Sequence, residues 1–199
     1  VAAEETPCAE VRLVHQSRDP TETAVIVPIG AAEDVVADHR RALDAAATWG
    51  VPAHVTVMYP FVHPTAVDAA VLGRLGAALS SVPAFECSFA RCQWFGEAVL
   101  WLAPDPEQPF RDLTAAVWQA FPEYAPYGGA FDGVVPHLTV GEVGERRRGS
   151  VQQLRTAEAE VSVQLPIRAG VDHALLIAGT HAADSWYTIR EFPLRPVVD

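Results

Sequence analysis

Two short stretches of the chain carry residues suited to proton transfer, His54-Val55-Thr56-Val57 and His137-Leu138-Thr139-Val140. Each places a histidine two residues before a threonine, follows both with an apolar residue, and is entered through a proline, Pro52 or Pro136. An unperturbed imidazole titrates near pH ~6.5, so one histidine of a pair can be neutral while the other holds a proton. One then takes the proton from an attacking water or hydroxyl and the other gives one to the departing oxygen, each transfer being worth typically ~10²–10⁴-fold. The threonine hydroxyls can hydrogen-bond non-bridging phosphate oxygens and stabilise charge that builds in the transition state. This is the chemistry of phosphodiester cleavage without a metal. The spacing does not say which histidine is the base. Two histidines make an incomplete zinc site, and no carboxylate or cysteine stands at ligand spacing beside them, so neither a metal nor another cofactor is expected.

A β-strand is the element that makes such a stretch useful. Successive strand side chains alternate between faces, so His54 and Thr56 emerge together, as do His137 and Thr139, while Val55, Val57, Leu138 and Val140 enter a core. A single histidine of this kind is ordinarily a core or edge residue. With seven histidines and 50% apolar content, chance supplies roughly 0.1 copies of the pattern. Two copies therefore point to a shared site.

Composition narrows the chemistry further. The 199 residues suffice for one domain or two intimately packed lobes. The formal net charge of -11 argues against long nucleic acid held by non-specific phosphate neutralisation, but not against a small anionic ligand or an RNA end in a local pocket. All fourteen basic residues are arginine. The absence of lysine removes Schiff-base enzymes, lysine-dependent P-loops and ligases working through a lysyl-nucleotide. Cys8, Cys87 and Cys92 show no metal or redox spacing and read as free thiols; on one regular strand Cys87 and Cys92 would face opposite ways. With no signal-like N-terminus and no apolar run of membrane-spanning length, the expectation is a cytoplasmic, monomeric protein without membrane contacts.

The elements needed to position the site follow in order. Residues 1–22 are polar and read as irregular, and residues 23–199 as one two-lobed domain. Thr23–Ile29 reads as a buried strand, residues 33–48 as a helix, and the first histidine strand runs to about Met58. Thr65 is the expected cap of a helix burying Val71, Leu72, Leu75 and Leu79. A hairpin is expected over residues 84–102, turning at Phe95-Gly96-Glu97. Phe110, Leu113, Val117 and Phe121 mark a helix face, and residues 122–133 a loop before the second histidine strand. Ser150 caps a helix to about Glu158, and strands are expected at Val161–Leu165, around Ala174–Ile177 and over Ser185–Phe192. The order is α+β with a weak internal repeat, each half carrying one histidine strand after a helix.

The paired motifs resemble those of the two-histidine (2H) phosphoesterase superfamily, which includes bacterial 2′-5′ RNA ligases and cyclic nucleotide phosphodiesterases. The resemblance extends to Gly50-Val51-Pro52-Ala53, to Met58-Tyr59-Pro60-Phe61 and to Pro126–Asp132, and spans about residues 23–192. It implies a two-lobed fold of pseudo-duplicated antiparallel sheets, with helices outside and the histidine strands lining a central cleft. It also implies hydrolysis of 2′,3′-cyclic phosphates of nucleotides or RNA ends, or the related 2′-5′ linkage reaction. By motif position His54 and His137 become the acid–base pair, and Thr56 and Thr139 the phosphate binders. The ligase name in this family implies no nucleotide activation, in keeping with the missing lysine. A non-catalytic module binding a nucleotide or phosphometabolite in the same cleft is the alternative.

Other residues have weaker claims. Tyr59 and Tyr127 lie near the motifs and could stack on a base or ribose, although core aromatics look the same in sequence. Trp94 and Trp101 read as core, Arg146-Arg147-Arg148 as a solvated run, and His15, His39, His63, His173 and His181 as structural or surface residues.

Overall fold

The computed structural model describes residues 19–129, 133–144 and 149–197, with the backbone alone described at Tyr127. The chain starts with strand β1 (Glu22–Pro28), whose five central residues are all buried. Helix α1 (Glu33–Leu43) carries acidic residues in its first turn and arginines in its last, matching the helix dipole. A four-residue helix, α2 (Ala45–Thr48), then leads to the histidine strand β2 (His54–Met58). Helix α3 (Ala69–Leu79) follows, then the hairpin of β3 (Phe85–Phe95) and β4 (Val99–Asp105). Helix α4 (Gln108–Ala120) precedes the second histidine strand, β5 (Leu138–Glu142). Helix α5 (Val151–Ser162) and strands β6 (Ile167–Val171), β7 (His173–Gly179) and β8 (Tyr187–Pro193) complete the fold.

The described residues form two antiparallel four-stranded sheets, ordered β2-β1-β7-β8 and β5-β4-β3-β6, in an α+β fold. The internal repeat is visible in the topology. In each half a central strand is followed by a helix, and the histidine strand then returns antiparallel to it at the sheet edge. The two edges, β2 and β5, face one another. The helices also exchange partners, with α1 packing on β5 and α4 on β2. One apolar cluster runs from Val25, Val27 and Val55 through Leu102, Leu138 and Val140, so both sheets bury their inward residues in common. No helix among the described residues is long and apolar enough to cross a membrane.

Four local expectations are corrected. The segment 33–48 is two helices, because Asp44 leaves helical geometry (φ -122°, ψ 119°) and caps α2 by accepting from the Ala46 amide. Asp68, not Thr65, caps α3, accepting from Val71 N at 2.8 Å; Thr65 lies in a short 3₁₀ turn that His63 caps. Residues 161–165 are not a strand: Val161 is buried on the last turn of α5 while Val163, at 82% exposure, faces solvent. The strand begins later, where Ile167 to Val171 alternate between buried and exposed. Val161 continues the buried face of Leu154 and Ala157 at i, i+3 and i+7, so the helical pattern runs on past Glu158. Lastly, an irregularity between Phe89 and Cys92 breaks the alternation of β3, so Cys87 and Cys92 both reach the same core cluster. Both are free thiols; Cys8 and His15 lie outside the described residues.

The α1–β5 contact depends on a missing side chain. A Cβ on Gly141 would stand 2.6 Å from Leu43 Cβ and 2.8 Å from Leu154 Cδ2. Gly141→Ala is therefore expected to destabilise the fold by about 1–3 kcal/mol through overpacking. A urea melt checks this, and an unchanged midpoint would contradict so close an approach.

Candidate active site

Pairing places the first motif. His54 opens β2 opposite Pro28, and Thr56 stands opposite Ile26 on the same face. In the second half His137 immediately precedes β5, and Thr139 stands opposite Trp101. All four side chains line one cavity of about 390 Å³ between the lobes, together with Tyr59. That volume lies in the range of small-molecule sites. The apolar floor comes from Ala24, Ile26 and Ile177 on the first sheet and Val51 in the loop before β2, and Trp49, His181 and Trp186 form a wall.

The two imidazoles are held alike. Nδ1 of His54 donates to the carbonyl of Pro52 at 2.7 Å, and Nδ1 of His137 donates to the carbonyl of Val135, also at 2.7 Å. A carbonyl only accepts, so Nδ1 carries the proton and the exchangeable lone pair of each neutral ring sits on Nε2. One residue further back the repeat continues. Arg40 of α1 donates to the Val51 carbonyl at 3.2 Å, and Arg111 of α4 donates to the Val134 carbonyl. Each of these carbonyls lies three residues before its histidine. Each arginine is also paired with a carboxylate four residues away at the end of its helix, Arg40 with the C-cap Asp44 at 2.9 Å and Arg111 with the N-cap Glu107 at 2.8 Å. The first pair is deeply buried, at 2% and 4% side-chain exposure. In addition, Glu33 accepts from the Ala53 amide at 2.6 Å, tying down the residue before His54.

Burial opposes protonation of both rings. His54 is pushed down to about 3, first by burial, then by the Arg40 cation behind it, with the His137 charge adding a smaller repulsion and the Pro52 carbonyl acting the other way. His137 is also lowered by burial, partly offset by the Val135 carbonyl. Mutual repulsion makes double protonation costly, so the pair favours states with at most one proton.

The remaining expected residues divide clearly. Tyr59 belongs to the cavity wall; its hydroxyl donates to Glu22 Oε2 at 3.0 Å, and burial plus that carboxylate raise it to about 12. Tyr127 sits in a short 3₁₀ turn, Pro126–Gly129, with its side chain outside the described residues, as are Arg146, Arg147 and Arg148. Trp94 packs against the core and donates to Glu158. Trp101 is buried too, but against His137 rather than deep in the core. His181, expected as structural or surface, is exposed and also borders the cavity, stacked on Trp49 at 4.4 Å and 3.2 Å from Glu22. The β7–β8 connection holds it there, with Trp186 N donating to the Trp49 carbonyl and the indole N–H to the Thr180 carbonyl. A Cβ on Gly179 would stand 2.4 Å from the Trp186 ring, so glycine is required for that ring to lie across the strand. Asp44 and Glu142 also line the cavity and were not anticipated. Among the described residues no group of three or more His, Cys, Asp or Glu is placed to hold a metal ion.

Comparison with known proteins agrees with this architecture. Residues 27–181 match the model of the 2′-5′ RNA ligase superfamily, and the chain belongs to that family of 2H phosphoesterases. Among solved structures, E. coli LigT complexed with 3′-AMP is 17% identical, with a TM-score of 0.55, covering 88% of this chain and 99% of its own. A structure described as a phosphoesterase is 16% identical, with a TM-score of 0.54 and coverage of 89% and 99%. The Thermus thermophilus protein TT0787 is 14% identical, with a TM-score of 0.50 and coverage of 88% and 98%. At these identities the likeness is one of fold. No match was found among curated proteins.

The lowered His54 ring has a measurable consequence. Below the ordinary imidazole value of about 6.5 the unfolded state takes up a proton that native His54 refuses until about pH 3, so native stability must fall as pH falls through that window. His54→Asn is expected to flatten the decline in urea-melt stability between pH 7 and pH 4. An equal slope in both proteins would show that burial does not suppress this charge.

Proposed function

We propose that this chain is a phosphodiesterase that hydrolyses 2′,3′-cyclic phosphates of nucleotides or RNA ends, or carries out the related 2′-5′ linkage reaction, by metal-independent acid–base catalysis. One observation carries the reading: two histidines from opposite lobes line one cavity, each with Nδ1 bound to a carbonyl two residues back. His54 and His137 form the acid–base pair. The neutral ring accepts a proton at Nε2 from the attacking water, while the protonated ring delivers one to the leaving ester oxygen. Thr56 and Thr139 donate to the non-bridging oxygens, where charge rises in the transition state.

Substrate supplies the proton-holding state. Both imidazoles are below their ordinary value in the free protein. A phosphodiester anion beside them favours one imidazolium, raising the proton affinity of one ring on binding. Binding is thus linked to proton uptake. The nucleotide class is supported by LigT structures of the same fold that hold 3′-AMP, NADP+ and ATP. The aromatic wall of Trp49, His181, Trp186 and Tyr59 offers faces for a base.

The reading predicts turnover of nucleoside 2′,3′-cyclic phosphates in EDTA. His54→Ala and His137→Ala should each lower kcat/KM by at least about 10²-fold, with circular dichroism unchanged. Tight binding of the same compounds without hydrolysis by wild-type protein would instead identify a sensor. A separate expectation concerns pH: kcat should be bell-shaped, and the optimum for kcat/KM should lie on its acid side, because the free rings titrate lower than the bound ones. A flat profile between pH 5 and 8 would contradict a pair of titrating imidazoles.

A further inference from the structure

We propose that Phe95 and Trp101 form a stacking shelf for a second aromatic group, so that the cleft receives a phosphodiester with a base on either side of the phosphorus. The inference rests on the phosphodiesterase reading and starts from an asymmetry between the two halves. Ile26 stands opposite Thr56, and Trp101 stands opposite Thr139, so the two occupy equivalent positions in the repeat. Beside Ile26 the first sheet is hollow, and its apolar face forms the floor of the cavity. Beside Thr139 the equivalent space is filled by the Trp101 indole, with Phe95 stacked on it at 4.6 Å and 23°.

Both rings touch His137 from outside the cavity wall. Phe95 meets the His137 ring edge to face at 5.0 Å and 90°, and Trp101 meets it at 5.8 Å and 68°. Phe95 closes the β3–β4 hairpin with 36% of its surface exposed. The Trp101 indole N–H is buried and meets no acceptor among the described residues. A desolvated donor without an acceptor costs stability, and an all-carbon side chain would fill the same space without that cost. Packing alone therefore does not account for tryptophan here. The pair presents the exposed face of Phe95 beside the acid–base histidine, and stacking on such a face tolerates any base.

Phosphodiester geometry supplies the occupant. The base addresses the attacking oxygen and the acid the leaving ester oxygen, on opposite sides of one phosphorus. If the retained nucleoside fills the cavity beside His54, the leaving substituent departs past His137, where Phe95 stands. In a cyclic phosphate both ester oxygens belong to one ribose, and the shelf has no second base to hold. In a dinucleotide it does.

The test is the ratio of kcat/KM for a 2′-5′-linked dinucleotide to kcat/KM for the matching nucleoside 2′,3′-cyclic phosphate. Phe95→Ala should lower that ratio about ten-fold, chiefly through KM for the dinucleotide. Phe95→Tyr, which keeps the ring, should restore it. Any disturbance of His137 falls on both substrates and cancels in the ratio. An unchanged ratio in Phe95→Ala, or wild-type protein that turns over the cyclic phosphate and not the dinucleotide, would remove the shelf and leave the proposed function standing. Inactivity of wild-type protein toward both would overturn the two together.

Discussion

Each imidazole gives its Nδ1 proton to the carbonyl two residues behind it, and these two hydrogen bonds are the constraint around which the fold is arranged. They fix the tautomer, so the basic nitrogen is Nε2 in both halves. They also work only while the backbone before each histidine is held still. That task falls to Arg40 and Arg111, which bind the next carbonyl back from α1 and α4. A helix thus precedes each histidine strand for a local reason as well as for packing. Its guanidinium reaches the extended approach to the strand, where a carbonyl outside the sheet ladder needs a donor.

The costs of the arrangement fall unevenly. Arg111 and its partner Glu107 are each about 40% exposed, so solvent screens the pair and its contribution is chiefly geometric. Arg40 and Asp44 are buried, and breaking such a pair from one side typically costs about 3–5 kcal/mol. The buried cation also helps suppress the charge on His54. The same element that positions the first histidine therefore sets its proton affinity, whereas the second histidine is lowered by burial and lies against Phe95 and Trp101. A duplicated scaffold has acquired two different halves, one hollow and one filled.

Much of this is legible in the sequence. The alternation of His54, Thr56, His137 and Thr139 with apolar residues is a period-two signal, and period two survives folding because it reflects which face is buried. The repeat of helix and histidine strand, and the hairpin at Phe95-Gly96-Glu97, follow from the same kind of pattern. Boundaries fail where two periods overlap, as at Val161 to Leu165, or where one polar side chain breaks a helix, as at Asp44. The cavity wall is less accessible. Trp49, His181 and Trp186 meet only because the β7–β8 connection folds back on the end of α2, and no sequence spacing encodes that meeting. The arginine clamps do leave a trace. Arg40-Asp44 and Glu107-Arg111 are each an ion pair at helical spacing, placed ahead of a histidine strand, and that parallel is present in the sequence.

The central claim is that two imidazoles and two hydroxyls act on one phosphorus. The most direct measurement is a crystal structure with a nucleoside vanadate, whose five-coordinate metal centre stands in for phosphorus in the transition state. Nε2 of His54 and Nε2 of His137 should each lie about 2.6–3.2 Å from an oxygen on opposite sides of the vanadium, with the hydroxyls of Thr56 and Thr139 on the oxygens between. Vanadate bound outside the cavity, or held by one histidine with the other turned away, would contradict it.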